Sequence, residues 1–311
     1  MPTPKLRSTA GAFAGAAAAL WLTPAYPHAV CGDRIFPATL AIDDPGVTDE
    51  LTLPTVQWLP QNADGVGELD ASGSWAKTIF PNLALSVGAG PTWLHSPNGF
   101  DWDALDTEAK YQFMCIPQLE FMASVGFNVS WGGTANGAQV GSPNMYSPVL
   151  DVGLGFGALP TSMNVLRPFA ITGEISTTTP GQAVWNGDQF VTSFNWGFTL
   201  QYSLPYFNSH VGEIGADFIK HLIPTVELAF STPTANAASG TWGTTGTVQP
   251  GVVYMADKWQ VAVEAVIPVN GASGHGAGVV ASLDLFLDDI FPDSLGKPIF
   301  SQTLPMFTGA R

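Results

Sequence analysis

The chain has 311 residues, of which 46% are hydrophobic but only 11% charged. Soluble globular proteins carry roughly 25% charged residues; here the deficit is filled by 34 Gly, 25 Pro and many small polar residues, which is not how a water-facing surface is built. A net charge of −15 with ten basic residues excludes the basic footprint of a nucleic-acid binder and favours cations as whatever binds or passes.

Lys5 and Arg7 precede an apolar run from Ala10 to Leu22, and Ala25 or Ala29 suits a cleavage position. The pattern predicts a signal peptide over 1–29, too short to span a bilayer as a helix, and hence export. Residues 30–50 are expected to form a periplasmic N-terminal segment. The two cysteines, Cys31 and Cys115, are free to pair in an oxidising compartment, although spacing alone does not place them together.

From residue 51 the chain alternates. Eleven segments read as strands: Leu51–Trp58, Trp75–Trp93, Thr107–Cys115, Gln118–Trp131, Pro148–Ala158, Arg167–Thr177, Gln189–Leu204, Pro224–Thr232, Thr245–Met255, Lys258–Pro268 and Ala277–Asp288. In Gln118–Trp131 the odd positions are Leu, Phe, Ala, Val, Phe, Val and Trp, and the even ones mostly small or polar. Period 2 of this quality is a strand. Polar stretches at 60–74, 94–106, 132–147, 178–188 and 232–245 read as loops. There is no long 3.6-residue periodicity after the leader, no internal repeat and no domain boundary, so a barrel over 51–291 and a tail over 292–311 are expected.

Two all-β architectures compete. A soluble β-sandwich turns its apolar rows inward and coats its outside with charge. A membrane barrel turns aromatic and branched rows outward to lipid and encloses small polar residues. The scarcity of Lys, Arg and Glu on the second face favours the barrel. Fourteen residues at ~3.3 Å extend about 43 Å; tilted by ~45° they rise about 30 Å, enough to cross the ~25 Å apolar band. The expectation is a transmembrane antiparallel up-and-down β-barrel of about twelve strands, with ten as the fallback. Twelve requires one more strand, supplied either by Ile35–Ile42 or by a break at Pro81 in Trp75–Trp93.

In that arrangement Glu108, Lys110, Gln112, Glu120, Asp151, Glu174, Glu227, Gln260, Glu264 and Asp284 line the lumen, and Trp131, Trp196, Tyr254 and Trp259 form membrane girdles. The acidic excess reads either as a cation-favouring interior or as a plugged barrel whose carboxylates are internally paired. Catalytic signals are weak. Ser209-His210 and Ser273-Gly274-His275 are local clusters, and on an extended segment the side chains of Ser209 and His210 point apart. Gly153–Gly157 (GLGFG) sits inside a strand pattern, where Gly makes room at a tight wall. Asp43-Asp44 and Asp288-Asp289 are paired acids read as solvated at the rims. No enzyme activity, cofactor or metal site is expected.

The stretches Thr244–Val279, Leu283–Phe300, Trp75–Gly88 and Tyr202–Gly212 resemble a poorly characterised family of proteobacterial outer-membrane barrels, similar to the transporter-like barrels of the MetA pathway of phenol degradation. The resemblance covers most of the chain after the leader, and its motifs are structural. It implies an outer-membrane location and transport of small organic compounds. The chain departs from a common barrel in carrying about twenty residues after Phe291, so either the assembly signal is internal or Pro298–Phe307 joins the wall. Together these readings give a channel or transporter for small molecules, aromatic ones included, with a lipid bilayer as its partner. A plugged structural or adhesive barrel is the first alternative, and a soluble secreted β-sandwich the second.

Overall fold

The structure is a computed structural model that describes residues 29–95, 98–135 and 142–309. Apart from Ala29, the expected signal peptide lies outside the described residues. The strands in chain order are β1 (Ala29–Cys31), β2 (Arg34–Phe36), β3 (Glu50–Leu59), β4 (Glu68–Phe80), β5 (Leu83–Ala89), β6 (Pro91–His95), β7 (Asn98–Trp102), β8 (Leu105–Ile116), β9 (Phe121–Trp131), β10 (Met145–Gly155), β11 (Phe169–Pro180), β12 (Val184–Trp185), β13 (Asp188–Gln189), β14 (Thr192–Tyr202), β15 (Leu222–Ala235), β16 (Thr245–Met255), β17 (Trp259–Pro268) and β18 (Gly278–Phe286). Two short α-helices, α1 (Leu204–His210) and α2 (Leu287–Ile290), follow β14 and β18.

The fold is all-β. Strands β3, β4, β5, β8, β9, β10, β11, β14, β15, β16, β17 and β18 pair antiparallel in chain order, and β3 bonds both β18 and β4. This closes a twelve-stranded up-and-down barrel in which every wall strand has two neighbours, the arrangement that leaves no open edge in hydrocarbon. The twelfth strand comes from the break at Pro81: β4 and β5 form a hairpin across residues 81–82. Ile35–Ile42, the other candidate, is not in the wall. Strand β4 begins inside the stretch read as a loop, because Glu68, Asp70, Ser72 and Ser74 form a polar row alternating with Leu69, Ala71, Gly73 and Trp75. Likewise Gln118–Trp131 is shorter than expected. Residues 117–119 form a 3-10 turn, Glu120 adopts φ 48°, and the strand starts at Phe121. Eleven residues at ~3.3 Å extend about 33 Å, or about 23 Å of rise at ~45° tilt, still close to the apolar thickness of a bilayer.

The side-chain distribution is inverted relative to a soluble protein. Phe127 is 49% exposed and Trp196 38%, while Asp151, Glu227 and Gln260 are fully buried. Exposed branched and aromatic residues recur along the wall, as at Leu85, Val125, Ile175, Val226, Val263 and Val279. Apolar exteriors of this extent belong against hydrocarbon, and the soluble sandwich is overturned. Trp58, Trp93, Trp102 and Trp131 lie toward the end that carries the connections from β3 to β4, β6 to β7 and β9 to β10. At the other end, Tyr254 stacks on Trp259 at 5.4 Å and on Phe218 at 5.2 Å. Trp196 sits farther into the wall and stacks on Phe230 at 4.5 Å.

The second end, called here the terminal end, carries the entry to β3, the exit from β18 and the short turns at 81–82, 117–120 and 256–258. The segment expected outside the barrel instead fills this part of the lumen. Strands β1 and β2 form a hairpin, and residues 37–49 continue inside before reaching β3. Along this path Gln260 Nε2 donates to Ala38 O at 2.8 Å, Ala41 N to Glu227 at 2.6 Å and Lys110 Nζ to Asp43 at 2.6 Å. These partners come from β17, β15 and β8, on different sides of the wall. A Cβ at Gly153 would meet Phe36 and Pro45 at 2.9 Å, and one at Gly197 would strike Ile42, so both glycines make room for the insert. Cys31 and Cys115 form a disulfide that ties it to β8.

The tail neither leaves the barrel nor becomes a full strand. Strand β5 starts opposite Tyr111, leaving the last residues of β8 without that neighbour. Phe307 takes its place, donating to Phe113 O at 2.8 Å and accepting from Cys115 N at 2.9 Å. The tail thus covers a short exposed strand edge next to the disulfide.

Candidate functional site

Above the insert lies a partly open cavity of about 440 Å³ against β3, β4, β5, β8 and β18. Asp43, Asp44, Glu50, Asp103, Asp106, Glu108 and Asp284 line it, with Lys110 as its single basic group. The remaining lining is chiefly Ser, Thr, Ala and Gly, which follows from the small polar inner rows of β4 and β5. Asp106 is exposed within it, so solvent reaches the cavity from that side.

Lys110 forms the floor. Its ammonium donates to Asp43 Oδ2 and to Asp44 O, each at 2.6 Å, and lies 3.4 Å from Asp151. A buried ammonium needs such partners, since desolvation without them is costly. Asp43 and Asp44, read as a solvated rim pair, are therefore lumen residues. Burial and the neighbouring Asp43 raise the Asp44 carboxyl to about 6, although Lys110 opposes the shift. Asp103, between β7 and β8, accepts from Thr92 at 3.1 Å.

A second cluster fastens the insert at the terminal end. Arg34 is fully buried. Its Nε donates to Glu120 at 3.0 Å, Nη1 to Pro168 O at 3.0 Å and Nη2 to Arg167 O at 2.6 Å. Its guanidinium sits 4.0 Å from the centre of the Tyr206 ring. Burial lowers its pKa, and the Glu120 charge acts against that. Glu120 also accepts from Gly157 N at 3.0 Å. Two of the GLGFG glycines are explained by this packing, because a Cβ at Gly155 or Gly157 would collide with Glu120.

The other sequence-selected residues occupy several levels. Glu108 lines the cavity, and Asp284 lines it while accepting from Gln260 at 2.9 Å. Glu174 accepts from Asp43 N at 3.4 Å. Glu227 accepts from Thr199 at 2.8 Å, and Glu264 from Thr225 at 3.2 Å. Gln112 contacts Met306 of the tail. Glu120 belongs to a turn rather than to the wall. Sequence reasoning missed Arg34, Glu50, Asp103 and Asp106. Asp106 was within reach, since it shares the inward parity of Glu108 and Lys110.

Ser209 and His210 need a correction. They lie on α1, and Ser209 Oγ is 2.8 Å from His210 Nδ1, with His210 Nε2 3.4 Å from Asp33. The serine hydroxyl also lies 3.0 Å from Pro205 O and 3.1 Å from Tyr206 O. These carbonyls can only accept, so they compete for its proton and do not activate it. Among the described residues no group of three or more His, Cys, Asp or Glu side chains is arranged to hold a metal ion.

No family model and no curated protein matches the chain. Among solved structures it is similar to the KdgM porin, with 11% identity over 76% of this chain and 98% of that one at a TM-score of 0.45. For the NanC porin the values are 9%, 75%, 98% and 0.47. For LpxR from Salmonella typhimurium they are 10%, 76%, 99% and 0.42.

Proposed function

We propose that the chain is an outer-membrane channel for small molecules, selective for cationic groups and stoppered by its own N-terminal segment. The observation that carries this reading is the acidic cavity, which reaches solvent beside Asp106 and ends on Asp43, Asp44 and Lys110. Fixed carboxylates in a narrow, low-dielectric space concentrate cations and repel anions. Transport requires the insert to move, since its contacts reach several sides of the wall.

The test is the reversal potential of a planar bilayer under a KCl gradient, with the insert unlatched by Arg34→Ala, Cys31→Ser and Cys115→Ser. The reading expects cation preference that falls when Glu108→Gln and Asp284→Asn are added. An unchanged reversal potential rejects the acidic filter. A second reading, a permanently plugged structural barrel, is favoured by the covalent Cys31–Cys115 tie; it expects no current in any of these variants.

A further inference from the structure

The wall of the cavity is thin on one side. Ser72, Gly73, Ser74, Gly88, Ala89 and Gly90 line the acidic cavity, and the same six line a groove on the outer face. That groove has a volume of about 500 Å³, and Leu53, Trp75, Val87 and Trp102 give it an apolar surface open to the membrane side. Only backbone, Ser, Ala and Gly separate the two.

The hydrogen-bond ladder is broken at the same height on three neighbouring seams. Between β3 and β4 the register shifts at residues 53–54, opposite Gly73, where Pro54 has no N–H to give. Between β4 and the β5–β6 run, pairing stops at Gly73↔Ala89 and resumes at Asp70↔Thr92. Between the β5–β6 and β7–β8 runs, pairing stops at Gly88↔Asp106 and resumes at Pro91↔Trp102, one residue out of step, with a bond from Asp103 N to Gly90 O at 2.9 Å crossing the gap. Missing ladder bonds and missing side chains lower the cost of parting strands at this level. Downward passage is blocked by the insert, so apart from the solvent opening beside Asp106 this thin sector is the route by which the cavity can be reached from the membrane side.

We infer that the groove and the cavity are two halves of one site, through which an aryl-alkyl amine held in the bilayer presents its ammonium group to the lumen carboxylates across the β4–β5 seam. The inference rests on the acidic-channel reading and names its permeant class. Charge selects the amine: Asp103, Asp106 and Glu108 flank the seam from β8 and the approach to it, and the one base lining the cavity, Lys110, is already held by Asp43 and Asp44. The apolar body matches the groove, which continues the lipid-facing surface.

The test uses the full chain in phosphatidylcholine nanodiscs, with 4-(4-bromophenyl)butylamine as the probe and tryptophan fluorescence as the readout. The isosteric alcohol, 4-(4-bromophenyl)butan-1-ol, controls for partition into lipid. The amine is expected to quench at about tenfold lower concentration than the alcohol, and this difference between the two should vanish in Trp75→Phe with Trp102→Phe. Asp106→Asn with Glu108→Gln should bring the amine to the level of the alcohol. A staple from Ser74→Cys with Gly88→Cys should do the same, because a Cβ at Gly88 lies 3.3 Å from that of Ser74, close to disulfide spacing. Equal quenching by amine and alcohol in the native chain overturns the inference without any variant. Amine binding indifferent to both the staple and the carboxylate changes also overturns it. Cation-selective current with equal quenching leaves the channel reading standing and removes only this site; absence of cation preference removes both.

Discussion

Arg34 of the inserted hairpin and Glu120 of the β8–β9 turn meet at 3.0 Å, with their side chains 0% and 6% exposed. The pair joins residues 86 positions apart and fixes the insert against the terminal end of the barrel. Removing one partner strands the other's charge in a buried place, which typically costs about 3–5 kcal/mol. Glu120→Ala is therefore expected to lower stability against urea in detergent by about that much, and Arg34→Ala to do comparable damage. The double variant should lose clearly less than the sum of the two. Strict additivity in equilibrium unfolding would show that the pair does not act as a latch.

The disulfide should govern access to the insert rather than closure of the wall, because Cys31 lies on the hairpin and Cys115 on a strand paired on both sides. Arg34 is the only Lys or Arg from Ala29 to Asp49, so trypsin reports on it selectively. Cys31→Ser with Cys115→Ser is expected to speed cleavage after Arg34 by about tenfold, equivalent to ~1.4 kcal/mol of easier opening, while the barrel keeps its β-sheet circular dichroism. Unchanged protection would mean that the polar contacts alone hold the insert.

Gly153 provides a packing test. Gly153→Val places atoms where Phe36 and Pro45 now sit, and overpacking of this kind typically costs about 1–3 kcal/mol. Phe36→Ala should restore part of the loss. If Gly153→Val is neutral in denaturant titration, the insert does not lie against β10.

Asp288 gives a pH dependence outside the spanning strands. Burial, followed by the neighbouring Asp289 and Asp49 charges, raises its carboxyl to about 7. Between its ordinary value of 3.8 and 7 the folded chain holds a proton that the unfolded chain releases. This stabilisation is complete below pH 3.8 and is lost as pH rises through 7. Asp288→Asn should gain on the wild type at pH 8 by on the order of 1–2 kcal/mol, allowing for solvent screening, and should lose most of that advantage by pH 4. A gain independent of pH would assign the effect to something other than titration.

The barrel was legible because its strongest signal is local. Alternation such as Phe127, Val129 and Trp131 against Asn128 and Ser130 needs no partner to be seen, and Pro81 marks its own turn. The insert was not legible, because residues 37–49 have little periodicity and their contacts are distant. Nothing near Arg34 announces Glu120, and nothing in the spacing of Cys31 and Cys115 announces their bond. Strand β4 was half missed for a related reason: Asp70, Ser72 and Ser74 look like loop residues until a polar interior exists to receive them. The acidic cavity was readable in part, through Glu108, Lys110 and Asp284, whereas Asp43 and Asp44 became lumen residues only once the insert was placed.

A polar, acidic lumen closed by the chain's own N-terminal segment inside a lipid-facing wall has a direct electrical consequence. It is read by single-channel recording of the chain from residue 30 onward beside one lacking residues 30–47, with Cys115→Ser to remove the stray thiol. The longer chain is expected to be silent or rarely open, and the truncated one to give steady cation-preferring steps. A truncated barrel that is folded yet remains closed, or that passes anions more readily than cations, would refute the acidic, stoppered lumen.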